Sequence, residues 1–397
     1  MALYGSFLYG DGTVYGSGVS YNDYLLILQS PSRQPRVKVE LLYKNNNGYE
    51  VYEELTSLVD STSGSLQINI VNGRRRSATI TLSDFKRQYN ISSNSLWLDS
   101  YIRIKKGFQV GNEYIWFLCG TFVLEDPSVI SNFSLRTIEL TCVDKMSILE
   151  NELEAIYQIP SGTPVKDAII AILNEINDPM PLIYDSALEG KTVPYTISRS
   201  DSYYSILEEL ASLYSSHVFY NASGSLCFLS GVEGIDDSPK ESLYNFRKDG
   251  TDINYISSNV KYDISNVKNY IVVIGATVDG ELYDAIASDE NLSSPVNIYR
   301  IGKRVKKIED DNIYSTELAQ NRADYELKNN TVLFCNCSIV CLSLPHLYDA
   351  DDAVVTLTDI DQNFNQQRLL IQSITDSFGI DSQMQITCSN TSELPFI

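Results

Sequence analysis

A chain of 397 residues, 43% of them hydrophobic, is too long for one ordinary core, and two to four domains are expected. The formal charge of −21, from 30 basic and 51 acidic residues, argues against tight or sequence-reading nucleic-acid binding, which rests on neutralising phosphates with Lys and Arg. An acidic wall past which DNA slides is compatible with that balance.

The 27 Tyr stand against 2 Trp and 4 Met, a usage that suits β surfaces and subunit interfaces, although Tyr-rich cores would read the same way. Seven cysteines, an odd number in a long chain, do not indicate a disulfide scaffold. No apolar run reaches about 18 residues, so no transmembrane helix is expected. The N-terminus lacks the basic segment and apolar stretch of a secretory signal.

Residues 1–35 read as an extended arm. Tyr-Gly recurs at Tyr4-Gly5, Tyr9-Gly10 and Tyr15-Gly16. With many glycines and few aliphatic side chains, this stretch cannot build a core of its own. Two readings stay open: an arm that docks Tyr4, Tyr9 and Tyr15 on a neighbouring subunit, or a disordered tail. Its Gly-x-Gly follows no strand and precedes no Lys-Ser/Thr, so it is not a phosphate loop.

Residues 36–144 read as a first β-barrel-like domain. Val37 to Leu42 alternates, Asn45-Asn46-Asn47-Gly48 is a turn, and Leu66–Ile70 and Ala78–Leu82 are strands flanking Asn72-Gly73-Arg74-Arg75-Arg76. Three consecutive arginines could contact phosphate. The preferred reading is a hairpin end whose Arg74, Arg75 and Arg76 meet the acidic surplus of a neighbouring copy. Tyr101–Lys106 alternates with Arg103 and Lys105 on one face, and runs from Tyr114 and Leu135 complete about six strands.

Residues 145–236 read as a small α/β domain with two helices. Thr163 is placed as the cap and Pro164 in the first turn of a helix whose Val165, Ala168, Ile169, Ile172, Leu173 and Ile176 share a face, stopped by Asp178-Pro179. A second helix follows Ser200, Asp201 or Ser202, with Tyr203, Ile206, Leu207, Leu210 and Leu213 at helical spacing and Glu208 and Glu209 opposite. A hairpin turning at Gly224 closes the unit. Residues 237–397 read as a second β-barrel-like domain with one helix, capped by Ser315 or Thr316, and 237–255 is the best linker. The fold class is therefore mainly β with α+β, two barrel-like domains flanking the α/β unit.

No catalytic constellation emerges. His217 and His346 are the only neutral-pH bases of the usual kind, and no nucleophile elbow or His-Glu-x-x-His accompanies them. Cys335, Cys337 and Cys341 read as a buried strand rather than a zinc site, for want of a second ligand pair. Asp349, Asp351 and Asp352 lack calcium-loop spacing and read as a turn. No metal, cofactor or catalytic residue is assigned.

The order of parts resembles the baseplate or tail hub proteins of tailed bacteriophages and phage-like contractile particles. Three stretches carry the resemblance: Gly162-Thr163-Pro164-Val165 opening a helix, the Ser202–Ala211 helix with its Gly224 hairpin, and the closing runs around Ala353–Thr358, Arg368–Ile374 and Met384–Cys388. Where the family has Gly-Asp before the first closing strand, this chain has Asp351-Asp352-Ala353. The resemblance implies a homotrimeric ring in the virion tail, made in the bacterial host cytoplasm. That ring would link the tail tube or distal tail protein above to a tip, spike or central fibre protein below, with DNA passing through unbound. Some relatives carry a peptidase or lysozyme domain further along, and none follows Ile397, which favours a structural hub. The alternatives are a peripheral receptor- or glycan-binding tail protein and a cell-wall hydrolase.

Overall fold

The computed structural model describes residues 3–4, 7–8 and 21–389, apart from 31–32, 46–47, 61–62, 71–72, 85, 88, 90–95, 97–99, 132, 134, 215, 231–240, 264–266, 279–280, 295, 311–312, 314, 332–333, 349–352, 363 and 380–382. In chain order, β1 (Leu3–Tyr4) pairs with β2 (Phe7–Leu8), and α1 (Tyr21–Leu28) follows. The first β region comprises β3 (Pro35–Asn45), β4 (Gly48–Glu54), β5 (Ser65–Asn69), β6 (Arg76–Ser83), β7 (Tyr101–Val110), β8 (Glu113–Ser131) and β9 (Arg136–Val143). The middle region holds α2 (Met146–Leu149), β10 (Tyr157–Ile159), α3 (Val165–Glu175), β11 (Ile183–Tyr184), β12 (Ile197–Arg199), α4 (Tyr203–Leu213), β13 (Ser216–Tyr220) and β14 (Leu226–Ser230). The remainder runs β15 (Asn245–Arg247), β16 (Tyr255–Asp263), β17 (Tyr270–Val278), β18 (Glu281–Ser288), α5 (Ile298–Ile301), β19 (Val305–Glu309), α6 (Thr316–Thr331), β20 (Phe334–Leu342), β21 (Val354–Asp359), β22 (Phe364–Ser377) and β23 (Gln383–Ser389).

The protein is mainly β, and the two β regions are joined edge to edge. Antiparallel pairing of β22 with β5, in register Ile374↔Ile68 and Asp376↔Leu66, makes one sheet ordered β16-β20-β23-β22-β5-β6-β9-β8-β7-β3-β4. β21 adds to β22, and β15 runs parallel to β21. Alternation along these strands sends Leu66, Ile68, Ile102 and Ile104 from the first region and Ile339, Ile371 and Ile386 from the last into a single core. Each such side chain contributes about 1.5–3 kcal/mol on burial, so the two regions stabilise each other.

The middle region keeps its own core. α3 buries Val165, Ala168, Ile169, Ile172 and Leu173, and α4 buries Ile206, Leu207 and Leu210, the stripes that period 3.6 dictates. Ser202 caps α4, its Oγ accepting from Ser205 N at 3.2 Å. Thr163 does not cap α3; its hydroxyl donates to Pro160 O at 2.8 Å, and Pro164 occupies the cap position instead. β14 lies between parallel β11 and antiparallel β13, and the β13–β14 turn uses Gly224 at φ +85°.

Three parts differ from the sequence reading. Residues 21–28, assigned to the arm, form a helix whose Tyr24 is fully buried. Within 237–255, read as a linker, β15 places Phe246 in the main core by pairing with β21. Between β16 and β20 the chain also builds a separate lobe, the sheet β18-β17-β19 covered by α6. Ile271, Val273, Ala285 and Ala287 face Ala319 and Ala323 of that helix.

Candidate assembly surface

The sequence singled out Arg74, Arg75 and Arg76 for contact with a neighbour, and the structure uses all three within the chain. Arg74 reaches Glu125 at 3.1 Å and Glu150 at 3.0 Å. The Arg75 guanidinium lies 3.4 Å from the Phe219 ring centroid, and Arg75 is only 4% exposed. Arg76 is buried, donating to Cys119 O at 3.0 Å and Tyr348 O at 2.7 Å, while its backbone N–H donates to Asp144 Oδ2 at 2.9 Å. The triplet thus ties the first β region to the middle region and to the segment before β21. Tyr4 lies in β1, and Tyr9 and Tyr15 fall outside the described residues.

Two buried ion pairs, which sequence periodicity could not reveal, lock the same junctions. Lys106 on β7 and Asp376 on β22 are both fully buried with Nζ–Oδ2 at 2.8 Å, and Lys106 also donates to Ser377 O at 2.8 Å. Ser343 Oγ at 2.6 Å and Tyr348 Oη donate to the same Asp376 oxygen. Lys145, just after β9, donates to both Asp178 carboxylate oxygens at 2.6 Å and to Gly224 O at 2.8 Å; Tyr220 Oη donates to Asp178 Oδ2 at 2.8 Å. Burial lowers the Lys145 ammonium to about 8 against the pull of Asp178. Clusters of this kind hold two elements in one geometry, because removing one partner strands the other charge.

The histidines do not form a catalytic pair with these groups. His346 Nδ1 lies 2.8 Å from Tyr24 Oη, its ring bonds the Leu243 backbone, and burial lowers it to about 3, so the ring is neutral near pH 7. His217 sits in β13 opposite Leu229. Cys337 and Cys341 are buried on β20, and burial raises the Cys341 thiol well above its usual range. Among the described residues no group of three or more His, Cys, Asp or Glu side chains is placed to hold a metal, and Asp349, Asp351 and Asp352 fall outside them. No helix among those residues is long and apolar enough to cross a membrane.

What the fold leaves open is sheet edge. The β7 ladder on β8 ends at Tyr101↔Val123, whereas β9 continues to Ser131↔Arg136, so among the described residues β8 beyond Leu124 has a strand on one side only. Val129 and Ile130, on opposite faces of that strand, are 40% and 52% exposed, and Phe133 at the tip is fully exposed. The far half of β8 is thus exposed along one edge, while its partners Ile138 and Leu140 on β9 are buried. β4 ends the sheet on its other side, pairing among the described residues with β3 alone and exposing Val51 and Tyr52. Long exposed edges with apolar side chains are sites at which another chain adds.

No protein-family model and no curated protein matches this sequence. The fold is nevertheless shared with solved tail proteins. The prophage MuSo2 43 kDa tail protein from Shewanella oneidensis superposes with a TM-score of 0.61 at 12% identity, over 89% of this chain and 98% of that one. A tail protein from Neisseria meningitidis gives 0.60 at 11% identity, over 90% and 96%. Prophage tail protein gp18 from Listeria monocytogenes gives 0.54 at 13% identity, over 90% and 95%.

Proposed function

We propose that this chain is a structural tail protein of a phage or phage-like particle. In this reading it is a hub whose three copies close into a ring about the tail channel, with the tail tube or distal tail protein above and a tip, spike or central fibre protein below. The observation that carries the reading is a fold shared with three solved tail proteins, two of them from prophages, over about nine-tenths of each chain. The rigid junctions at Lys106–Asp376 and Lys145–Asp178 suit a part that transmits force between neighbours. Two different exposed edges, β4 and the far half of β8, suit a head-to-tail contact that repeats round a ring. Three chains of −21 carry −63, and an acidic lumen would let DNA pass without holding it by counterion release. The chain would be made in the host cytoplasm and carried in the virion tail; no catalytic step is assigned to it.

The test is solution mass of the full chain and of the double variant Ile130→Asp/Phe133→Asp, alone and mixed with the tail tube protein. The reading expects three copies per complex for the parent chain and loss of the complex for the variant. A parent chain that stays monomeric in both settings contradicts it.

A further inference from the structure

The lobe between β16 and β20 is a three-stranded sheet whose two outer strands are both edges. Among the described residues β18 and β19 each pair with β17 alone, and neither makes a backbone hydrogen bond away from it. α6 covers the face that carries Ile271, Val273 and Ala285. Side chains one position along project from the opposite face, where Ile286 and Val305 are 50% and 51% exposed. A short sheet with bare edges and exposed apolar side chains is a template for a further strand.

The two edges carry opposite charge. Asp284 on β18 and Glu290 just past its end are exposed, and among the described residues neither has a cation partner. On the other edge Lys307 of β19 and Lys303 just before it are exposed. Lys303 Nζ lies 4.4 Å from the Tyr270 ring centroid, and Lys307 meets Glu309 of its own strand at 2.5 Å. One edge therefore complements the other rather than itself, and a second copy of this chain brings the edge that each lacks.

The strand directions and the side chains also choose a register. β18 runs antiparallel to β17 and β19 parallel to it, so a copy added with its strands in the same direction lays its β18 antiparallel to β19. Only even shifts keep each side chain on its face. Level pairing sets Ile286 against Lys307, as they stand across Val272, and brings Asp284 against Glu309, which repel. A shift of two residues one way sets Ile286 against Glu309. The same shift the other way sets Ile286 against Val305 and Asp284 against Lys307 on the open face, and Tyr283 against Ile308, both half-buried, on the α6 face.

We propose that β18 of one copy of this chain adds antiparallel to β19 of the next, with Ile286 opposite Val305 and Asp284 opposite Lys307. The contact is head-to-tail, so each joined pair keeps one edge of each kind for a further copy. It draws on this lobe alone and requires neither β4 nor the far half of β8.

The test oxidises the full chain carrying Ile286→Cys and Val305→Cys and separates it without reductant, beside the parent chain and both single variants. Within one chain these positions lie two strands apart, about 10 Å or more, beyond the reach of a disulfide, so every bridge between them joins two copies. Covalent multimers are expected from the pair, with the 286–305 bridge identified by mass spectrometry. Lys307→Asp in that background should cut the cross-linked fraction about fivefold, and adding Asp284→Lys should restore it. No multimers from the pair would overturn the proposal. Either single variant cross-linking as fully as the pair would indicate a two-fold contact of like edges and overturn it too, as would a charge reversal that has no effect or is not rescued. Cross-links in a chain absent from the tail axis would leave this contact standing and remove the hub, whereas a ring lost in Ile130→Asp/Phe133→Asp but without 286–305 bridges would do the reverse.

Discussion

Replacing Lys106 by Met removes a cation from a site with no solvent on either partner. At 2.8 Å and an effective dielectric of about 20, the Lys106–Asp376 attraction is about 6 kcal/mol before desolvation is subtracted. The substitution leaves Asp376 with donors from Ser343 and Tyr348 but no countercharge. Stranding one member of a buried pair costs about 3–5 kcal/mol, and that is the expected loss for Lys106→Met. The double variant Lys106→Met/Asp376→Asn keeps an acceptor for both hydroxyls and removes both charges, so it should recover more than half of that loss. Urea unfolding followed by tyrosine fluorescence and by far-ultraviolet circular dichroism gives both numbers. The first transition is compared across variants, because a chain with several cores need not unfold in one step. Since β22 and β5 sit at the seam, the single variant should also expose the pairing Ile374↔Ile68 to hydrogen exchange before the α3–α4 core opens. A loss below about 1 kcal/mol, or a double variant no better than the single, would refute the claim that this pair locks the two β regions.

Stability should fall as the pH drops from about 6.5 to about 3, because the unfolded chain takes a proton on His346 that the folded one refuses; the slope from this group is about 1.4 kcal/mol per unit, and His346→Gln should flatten it in urea midpoints read against pH. Arg75→Ala removes the stack on Phe219 and should destabilise the isolated chain by about 2 kcal/mol, whereas an arginine reserved for a neighbour would leave thermal unfolding of the monomer unchanged. Gly224→Ala puts a Cβ at positive φ and 3.2 Å from Thr121 Cβ, and should cost about 1–2 kcal/mol with increased exchange of the β13–β14 turn.

Local periodicity made the middle region legible. Ile169 and Ile172 on α3, Ile206 and Leu210 on α4, the Ser202 cap and the Gly224 turn are each set by residues a few positions apart, and the structure realises each of them. The alternation of Tyr101 to Lys106 likewise put Arg103 and Lys105 on one face, where both meet Glu40. What escaped depends on distant partners. Nothing near Ile68 announces that it will pair with Ile374, and nothing near Lys106 announces Asp376. Tyr24 and its helix were lost in a glycine-rich neighbourhood, though the burial that fixes them comes from Phe117 and His346 far along the chain. The three arginines illustrate the same limit, since a run read as a hairpin end for a neighbouring copy meets Glu150, Phe219 and Tyr348 of its own chain instead. Alternation in β17 was visible, but not that Ile271 and Val273 would face α6 in a lobe apart from the main core.

The central claim is the place of this chain in an assembled particle. Cryo-electron microscopy of tails carrying this protein tests it most directly. The account predicts three copies in a ring on the tail axis, the tube directly above and an acidic channel wall. Copies at the periphery, a different number per ring, or a basic channel wall would contradict it.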